Sequence, residues 1–360
     1  DFDAQTGISL GSIKIKECLE LGREKFQWYK RKEECNNFNK KSKRYKRGIS
    51  VACGGHVSGF YPKVIDYSRV DLTMTDHGKI IANITLHDHG CGTITAFKMI
   101  IAEVLSLNID DIIIGEGDTG KTPYDLGCYS SRTTYVVGRA TQNCSLKLKT
   151  LILEIASRIL KLETSSLDIE NGCVVSKTNN NIKISFQDIA YHSMFIEQKE
   201  IFVSEHYKNE SNPGTTAAHF SEVEVDTYTG MTKVLKYIGI HDIGKVINKE
   251  ISIAQIQGAI LMGIGGAISE KMLTNNLGTT TGSFKDYHLI NCYEIPDMDI
   301  FFIEGEKTEG PFGAKSIGEV AMVPVTAAIS GAINNALNSS LEKMPLNPDA
   351  IVKYLQKKGE

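Results

Sequence analysis

Three glycine-rich stretches, residues 90–93, 127–134 and 310–319, each run into a segment with helical apolar spacing. Such a junction takes the chain through a tight turn and leaves the first N–H groups of the following helix without intrahelical partners. Those N–H groups carry partial positive charge, so each junction could hold an anion. One such junction is ordinary helix-start geometry with tight packing. Three in one chain, one of them dense in Ser and Thr, favour a bound polar cofactor. Neither common nucleotide fingerprint fits. Gly120-Lys121 lacks the preceding glycine spacing of a Walker A loop, and Gly263-x-Gly265 lies in an apolar helical stretch.

Around these junctions the spacing predicts long helices over 95–107, 138–160, 253–269 and 323–338, and an amphipathic helix over 8–28. Hairpins are expected where residues 69–75 and 79–86 flank Asp76-His77-Gly78, and where 220–226 and 231–240 flank Thr229-Gly230. Hairpins and helices alternate without a parallel strand–helix–strand rhythm, and no internal repeat is visible, so the expected class is α+β. At 360 residues the chain should form two lobes. The expected division is an N-terminal helix and basic linker over 1–45, a first lobe over 46–195 and a second lobe over 196–360, with the break inside 178–212.

Composition removes several function classes. Hydrophobic residues at 41% and charged residues at 23% are those of a folded globular protein. Lys+Arg 40 against Asp+Glu 43 gives a net charge of -3, which excludes a globally basic nucleic-acid binder. Residues 30–47 hold nine basic and two acidic side chains; the expectation there is a solvated linker or subunit-docking arm, with nucleic-acid binding a weak third. The apolar runs 258–268 and 320–333 are too short to span a bilayer, and no signal-peptide pattern opens the chain, so no membrane partner is expected. The eight cysteines are scattered singly, without metal-ligand spacing. No metal ligands are therefore assigned, and a cytoplasmic location with reduced thiols is expected.

Glu319 stands between the third glycine stretch and an apolar helix. An apolar surround would disfavour its charged form and raise its pKa toward the range useful to a general base. An acidic residue there also complements the helix dipole, and the local sequence leaves both accounts open.

Residues 118–140, DTGKTPYDLGCYSSRTTYVVGRA, resemble the Asp-Thr…Ser-Arg-Thr-Thr…Gly-x-Ala segment of molybdenum hydroxylases of the xanthine dehydrogenase and aldehyde oxidase type. Residues 310–333, GPFGAKSIGEVAMVPVTAAISGAI, are similar to that family's Gly-x-x-Gly-x-Lys-x-x-Gly-Glu segment. Residues 242–265 resemble its Asp-x-Gly…Asn-Pro…Gln-x-x-Gly segment. The order matches, and the likeness runs from about residue 46 to 337.

The resemblance implies a two-lobed molybdopterin-binding domain with mixed hairpin sheets and packed helices. It implies a molybdenum–pterin cofactor in its cytosine dinucleotide form, with a terminal sulfide, or selenide in some anaerobes. Glu319 would be the base that helps make water-derived oxygen nucleophilic toward an electron-poor carbon. Gly90, Cys91, Gly92, Ser130, Ser131, Arg132, Thr133, Gln255 and Lys315 would contact the cofactor. Cys91 stands where the family has Gln, Lys249 where it has Pro, and Met262 where a second Gln is common. Segments that line the substrate pocket in the first half of the family's molybdenum subunit, Gly-Gly-Phe-Gly and Arg-Gly-x-Gly, are not found. The chain therefore resembles the second half alone, either as the smaller of the two polypeptides in split enzymes such as nicotinate dehydrogenase or as a truncated piece of a longer subunit. Implied partners are a chain carrying the other half, an iron–sulfur subunit and an FAD subunit, and the implied substrate is an N-heteroaromatic such as a purine or nicotinate. The alternatives are an aldehyde-oxidising relative and a non-catalytic scaffold subunit of such a complex.

Overall fold

The structure is a computed structural model that describes residues 2–4, 7–86, 88–115, 117–305 and 308–359. In chain order, α1 (Ile15–Lys25), α2 (Trp28–Lys41) and β1 (Tyr45–His56) come first. Then follow β2 (Asp66–Met74), β3 (Ile80–Asn83), α3 (Thr93–Leu105), β4 (Ile112–Ile114) and α4 (Gly138–Leu160). Next are β5 (Leu167–Glu170), β6 (Cys173–Ser176), β7 (Asn179–Ser185), α5 (Phe186–Tyr191) and β8 (Phe202–Asn209). The hairpin β9 (Thr215–Asp226) and β10 (Thr232–Asp242) leads to α6 (Lys249–Ile268), β11 (Thr274–Asn275), β12 (Gly278–Thr279) and β13 (Asp297–Ile303). Two helices, α7 (Val325–Leu337) and α8 (Pro348–Lys358), close the described chain.

These elements form two compact units that are discontinuous in sequence. The first comprises Asp1–Gly11, Val57–Pro213 and Glu306–Ser316, and the second Ser12–His56, Gly214–Gly305 and Ile317–Glu360. This differs from three consecutive segments over 1–45, 46–195 and 196–360. The N-terminal helices and β1 join the second unit because β1 pairs with β9 along its whole length.

The first unit is built on the sheet β4-β3-β2-β8. The β2–β3 hairpin turns at Gly78, whose φ of 76° suits glycine. α3 then crosses over, so that β4 lies parallel to β3 at the sheet edge. α4 packs on β2 and β8. Its fully buried Cys144, Leu148 and Ile152 recur every four residues and so occupy one face. Each buried aliphatic side chain there contributes about 1.5–3 kcal/mol relative to exposure. The small sheet β5-β6-β7 completes this unit.

The second unit repeats that plan in the sheet β1-β9-β10-β13. Here the β9–β10 hairpin is followed by the crossover α6, and β13 lies parallel to β10. α7 packs on β1 and β9 so closely that a Cβ on Gly48 would run into the backbone of Ala332 and Ala336. α1 and α2 cover the opposite face through Cys18, Phe26, Ile49, Phe220 and Ile240. By length and composition alone α6 could cross a membrane. Its Ile256, Ile260 and Ile264 instead join the core that α7 closes.

The α+β class holds, but the expected lack of parallel crossovers does not. Each unit has one, missed because β4 has only three residues and β13 begins far beyond the end of α6. Residues 30–47 are likewise not a solvated linker: they form most of α2 and the start of β1. The arginines in that run face the alternate acids of β9. Arg31 pairs with Glu222 at 2.5 Å, Arg47 with Glu224 at 2.9 Å, and Arg44 clasps Asp226 through two nitrogens. The Arg44 guanidinium holds the Asp226 carboxyl well below its ordinary range.

Candidate functional site

The candidate residues share a topological address. They lie on, or directly after, loops that leave the C-terminal ends of the parallel strand pairs, β3 and β4 in one unit and β10 and β13 in the other. Each of these loops feeds a helix, which is where ligand-binding loops gather in sheets with parallel crossovers.

In the first unit, Gly90-Cys91-Gly92-Thr93 joins β3 to α3. Gly90 and Gly92 have φ of 88° and 71°. The Asp88 carboxylate accepts from the backbone N–H groups of Gly90 at 3.0 Å and of Gly92 and Ile94 at 3.2 Å. An internal carboxylate thus stands where an anionic ligand would, and a phosphate could reach these three amides only by displacing it. The Cys91 sulfur lies 2.8 Å from the Thr93 hydroxyl.

The loop from β4 to α4 holds Ser130, Ser131, Arg132 and Thr133. Arg132 does not face outward, contrary to the expectation that it contacts the cofactor. Its side chain is fully buried, and its guanidinium donates to Asp66 at 2.8 Å, Asp125 at 2.6 Å and the carbonyls of Gly127 and Tyr67. Burial opposes its charge, but the two carboxylates outweigh that and raise its pKa. A buried guanidinium requires such partners, so Arg132 braces the loop against β2. Ser130 and Ser131 have φ of 50° and 52°, a conformation costly to non-glycine residues. The Ser130 hydroxyl donates to the Gly59 carbonyl at 2.8 Å, which helps hold that turn. Ser131 and Thr133 are half-buried, and the Thr133 hydroxyl donates to the Cys128 sulfur at 3.4 Å.

The middle of the loop from β13 to α7, up to Ser316, belongs to the first unit. Glu309 accepts from Tyr207 at 2.9 Å and Ser211 at 2.8 Å, and Ser211 meets the Tyr135 hydroxyl at 2.6 Å. Burial pushes the Tyr135 phenol up to about 12 and raises that of Tyr207 as well, so both stay protonated. This latch fixes the loop that carries Lys315, which is only 3% exposed. Next to it the Ser316 hydroxyl is buried without a hydrogen-bond partner among the described residues. A cation beside an unengaged hydroxyl suits an anionic, oxygen-rich ligand.

In the second unit Glu319 lies on the turn before α7. Its side chain is 46% exposed, with the His56 Nδ1 at 3.9 Å from Oε2. The expected apolar enclosure is therefore absent around Glu319 within this unit. Gln255 sits half-buried in the second turn of α6, whose start is capped by Asn248 accepting from the Ile251 N–H at 3.0 Å. Sequence reasoning missed Asp66, Asp88, Asp125, His56 and Glu309, all set by contacts distant in sequence or by local capping. The Asp-x-Gly spacing of Asp88-His89-Gly90 and of Asp125-Leu126-Gly127 was the available clue, since such aspartates bond their own turn. Among the described residues no group of three or more His, Cys, Asp or Glu is placed to hold a metal ion.

Comparison with known proteins bears on what these loops hold. The family described as molybdopterin cofactor-binding domain matches residues 21–296. The chain belongs to this family. It is 28% identical over 354 residues to the putative xanthine dehydrogenase molybdenum-binding subunit XdhA of Escherichia coli K12, a match covering 97% of this chain and 47% of that protein. It is 30% identical over 277 residues to the 6-hydroxypseudooxynicotine dehydrogenase complex subunit gamma of Paenarthrobacter nicotinovorans, covering 74% of this chain and 35% of that one. The molybdopterin-binding chain thus spans about half the length of the curated relatives it matches, or less. Its fold is that of the reconstituted CO dehydrogenase from Oligotropha carboxidovorans, with a TM-score of 0.90, 23% identity, and coverage of 98% of this chain and 46% of that chain. Quinoline 2-oxidoreductase from Pseudomonas putida 86 gives a TM-score of 0.87 at 22% identity, covering 95% and 45%. The donor set fits the family's cofactor in part. Lys315, Ser316, Ser131 and Thr133 are residue types that suit a polar anion, and the Arg132 guanidinium and Ser130 hydroxyl serve to hold their loop.

Proposed function

We propose that this chain is half of the molybdenum subunit of a hydroxylase that oxidises an electron-poor carbon of an N-heteroaromatic substrate. When bound, the molybdenum–pterin group, in its cytosine dinucleotide form, supplies the two-electron redox chemistry. Lys315, Ser316, Ser131, Thr133 and Gln255 would hold it, and the Gly90–Gly92 turn would join them where the cofactor displaces the Asp88 carboxylate from its amides. Glu319 accepts a proton at its carboxylate from the water-derived nucleophile. The single observation that carries this reading is the Gly-Glu turn on a family-matched fold. It leaves the Glu319 carboxylate accessible while the preceding loop buries Lys315 and the Ser316 hydroxyl.

The Glu319 side chain is 46% exposed, so the other half of the subunit, together with the bound ligands, would enclose it. Electrons leave through iron–sulfur and FAD subunits. The N-heteroaromatic assignment draws support from relatives named xanthine dehydrogenase, nicotine 6-hydroxylase and hypoxanthine oxidase. An aldehyde substrate is the second reading, favoured by the fold shared with aldehyde oxidoreductases. A reducing, cytoplasmic location goes with this reading, the eight cysteines being scattered singly along the sequence.

The test is Glu319→Gln in the assembled enzyme. Removing a general base costs on the order of 10²–10⁴ in turnover, with molybdenum content and folding retained. Turnover close to that of the parent would remove Glu319 from this role.

A further inference from the structure

The segment that follows α6 carries large apolar side chains into solvent. Leu277 is 98% exposed, Tyr293 95%, Phe284 83% and Met272 63%. Residues 272–284 contain no charged side chain. The centres of protein interfaces are depleted of charge and enriched in aromatic residues and Met in this way. Leu277 lies in the turn between β11 and β12, strands of two residues each. So short a hairpin has little stability of its own in water. Tyr293 also lines a cavity of about 410 Å³, where Ile264, Ile268 and Ile290 stand beside the charged Glu224, Asp226, Lys233 and Glu294.

We propose that this surface docks the polypeptide corresponding to the part of the relatives' length that this chain does not match. The proposal rests on the reading above that such a polypeptide completes the molybdenum subunit. The match to the E. coli XdhA relative covers 97% of this chain but only 47% of that protein, so more than half of the relative is a body for which this chain has no counterpart. An uncharged, aromatic surface fits a permanent protein neighbour of that size. A lipid surface is disfavoured, because Lys271 and Lys285 are offset by Glu270 and Asp286 and no basic cluster flanks the segment.

The experiment places the photo-crosslinker p-benzoylphenylalanine at position 277 or 284 of the complete enzyme, followed by irradiation and peptide mapping. The expected cross-links run to polypeptide outside these 360 residues that matches the relatives' remaining half. Cross-links only to a second copy of this chain, only to lipid, or none at all would overturn the proposal. As a second arm, the double variant Leu277→Asp/Phe284→Asp should weaken retention of that polypeptide roughly tenfold or more. Both side chains are largely solvent-exposed, so the melting temperature of the chain itself should not move. Unchanged retention also counts against docking here. Elemental analysis of the same sample keeps the two claims separate. Cross-links without molybdenum leave the docking surface standing and remove the hydroxylase reading; molybdenum without cross-links does the reverse.

Discussion

Acid should unfold the second unit earlier than its charge balance alone suggests, because two histidines are sealed inside it. His219 and His241 are fully buried, with their Nε2 atoms 3.0 Å apart, and the Tyr237 hydroxyl lies 2.9 Å from the His219 Nδ1. Gly239 leaves room for them: a Cβ there would meet the two Nε2 atoms at 3.2 and 3.3 Å. The His241 Nδ1 is buried without a partner among the described residues. Burial lowers the His241 pKa from 6.5 to about 3, and burial together with its neighbour lowers that of His219 well below 6.5. Both rings are therefore neutral in the folded chain.

The unfolded chain binds protons that the folded one refuses, so this contribution is complete above pH 6.5 and declines as pH falls below it. At pH 5.0 an unfolded histidine with an ordinary pKa near 6.5 gains about 2 kcal/mol by protonating, which is the loss expected from His241 alone, and His219 adds to it in the same direction. That is a large part of the roughly 5–15 kcal/mol that stabilises a typical domain. Trp28, the single tryptophan, reports on this unit because its ring packs edge-on against Phe220 on β9 at 6.0 Å. Urea unfolding followed by Trp28 fluorescence at pH 7.5 and 5.0 should show that loss in the parent and little of it in His219→Gln/His241→Gln. Equal losses in parent and double variant would refute the reasoning.

Other outcomes follow from contacts already described. Arg132→Gln leaves Asp66 and Asp125 buried without their counter-charge and should cost about 3–5 kcal/mol, measured by urea unfolding; parent-like stability with reduced cofactor content would mean that Arg132 faces the cofactor after all. Gly48→Ala forces α7 away from β1 and should cost about 1–3 kcal/mol, seen as a lower melting temperature; an unchanged melt would show that α7 is not seated there. Glu309→Gln should loosen the Tyr207–Ser211 latch and speed proteolytic cleavage near Lys315, while unaltered cleavage would deny the latch its role. This chain purified alone should hold far less than one molybdenum per chain by elemental analysis, and stoichiometric metal would contradict the view that half the site lies elsewhere.

What the amino-acid order determined by itself was local. Apolar spacing located α3, α4, α6 and α7 to within a few residues, glycine located both hairpin turns, and the Ser-Arg-Thr and Gly-Glu segments identified the family. Each depends on neighbours within a turn or two of chain. Only the tertiary structure decided which side chains those motifs present. Arg132 turns inward because Asp66, some 66 positions earlier, lies on the adjacent strand. Glu319 stays about half exposed, with His56 beside it from the far end of β1. β1 belongs with the second unit because its hydrogen-bond ladder matches β9 over twelve residues. The parallel edges formed by β4 and β13, and the meeting of His219 with His241, are likewise contacts between distant strands. Local propensity cannot encode them, because they exist only once the sheets have chosen their order.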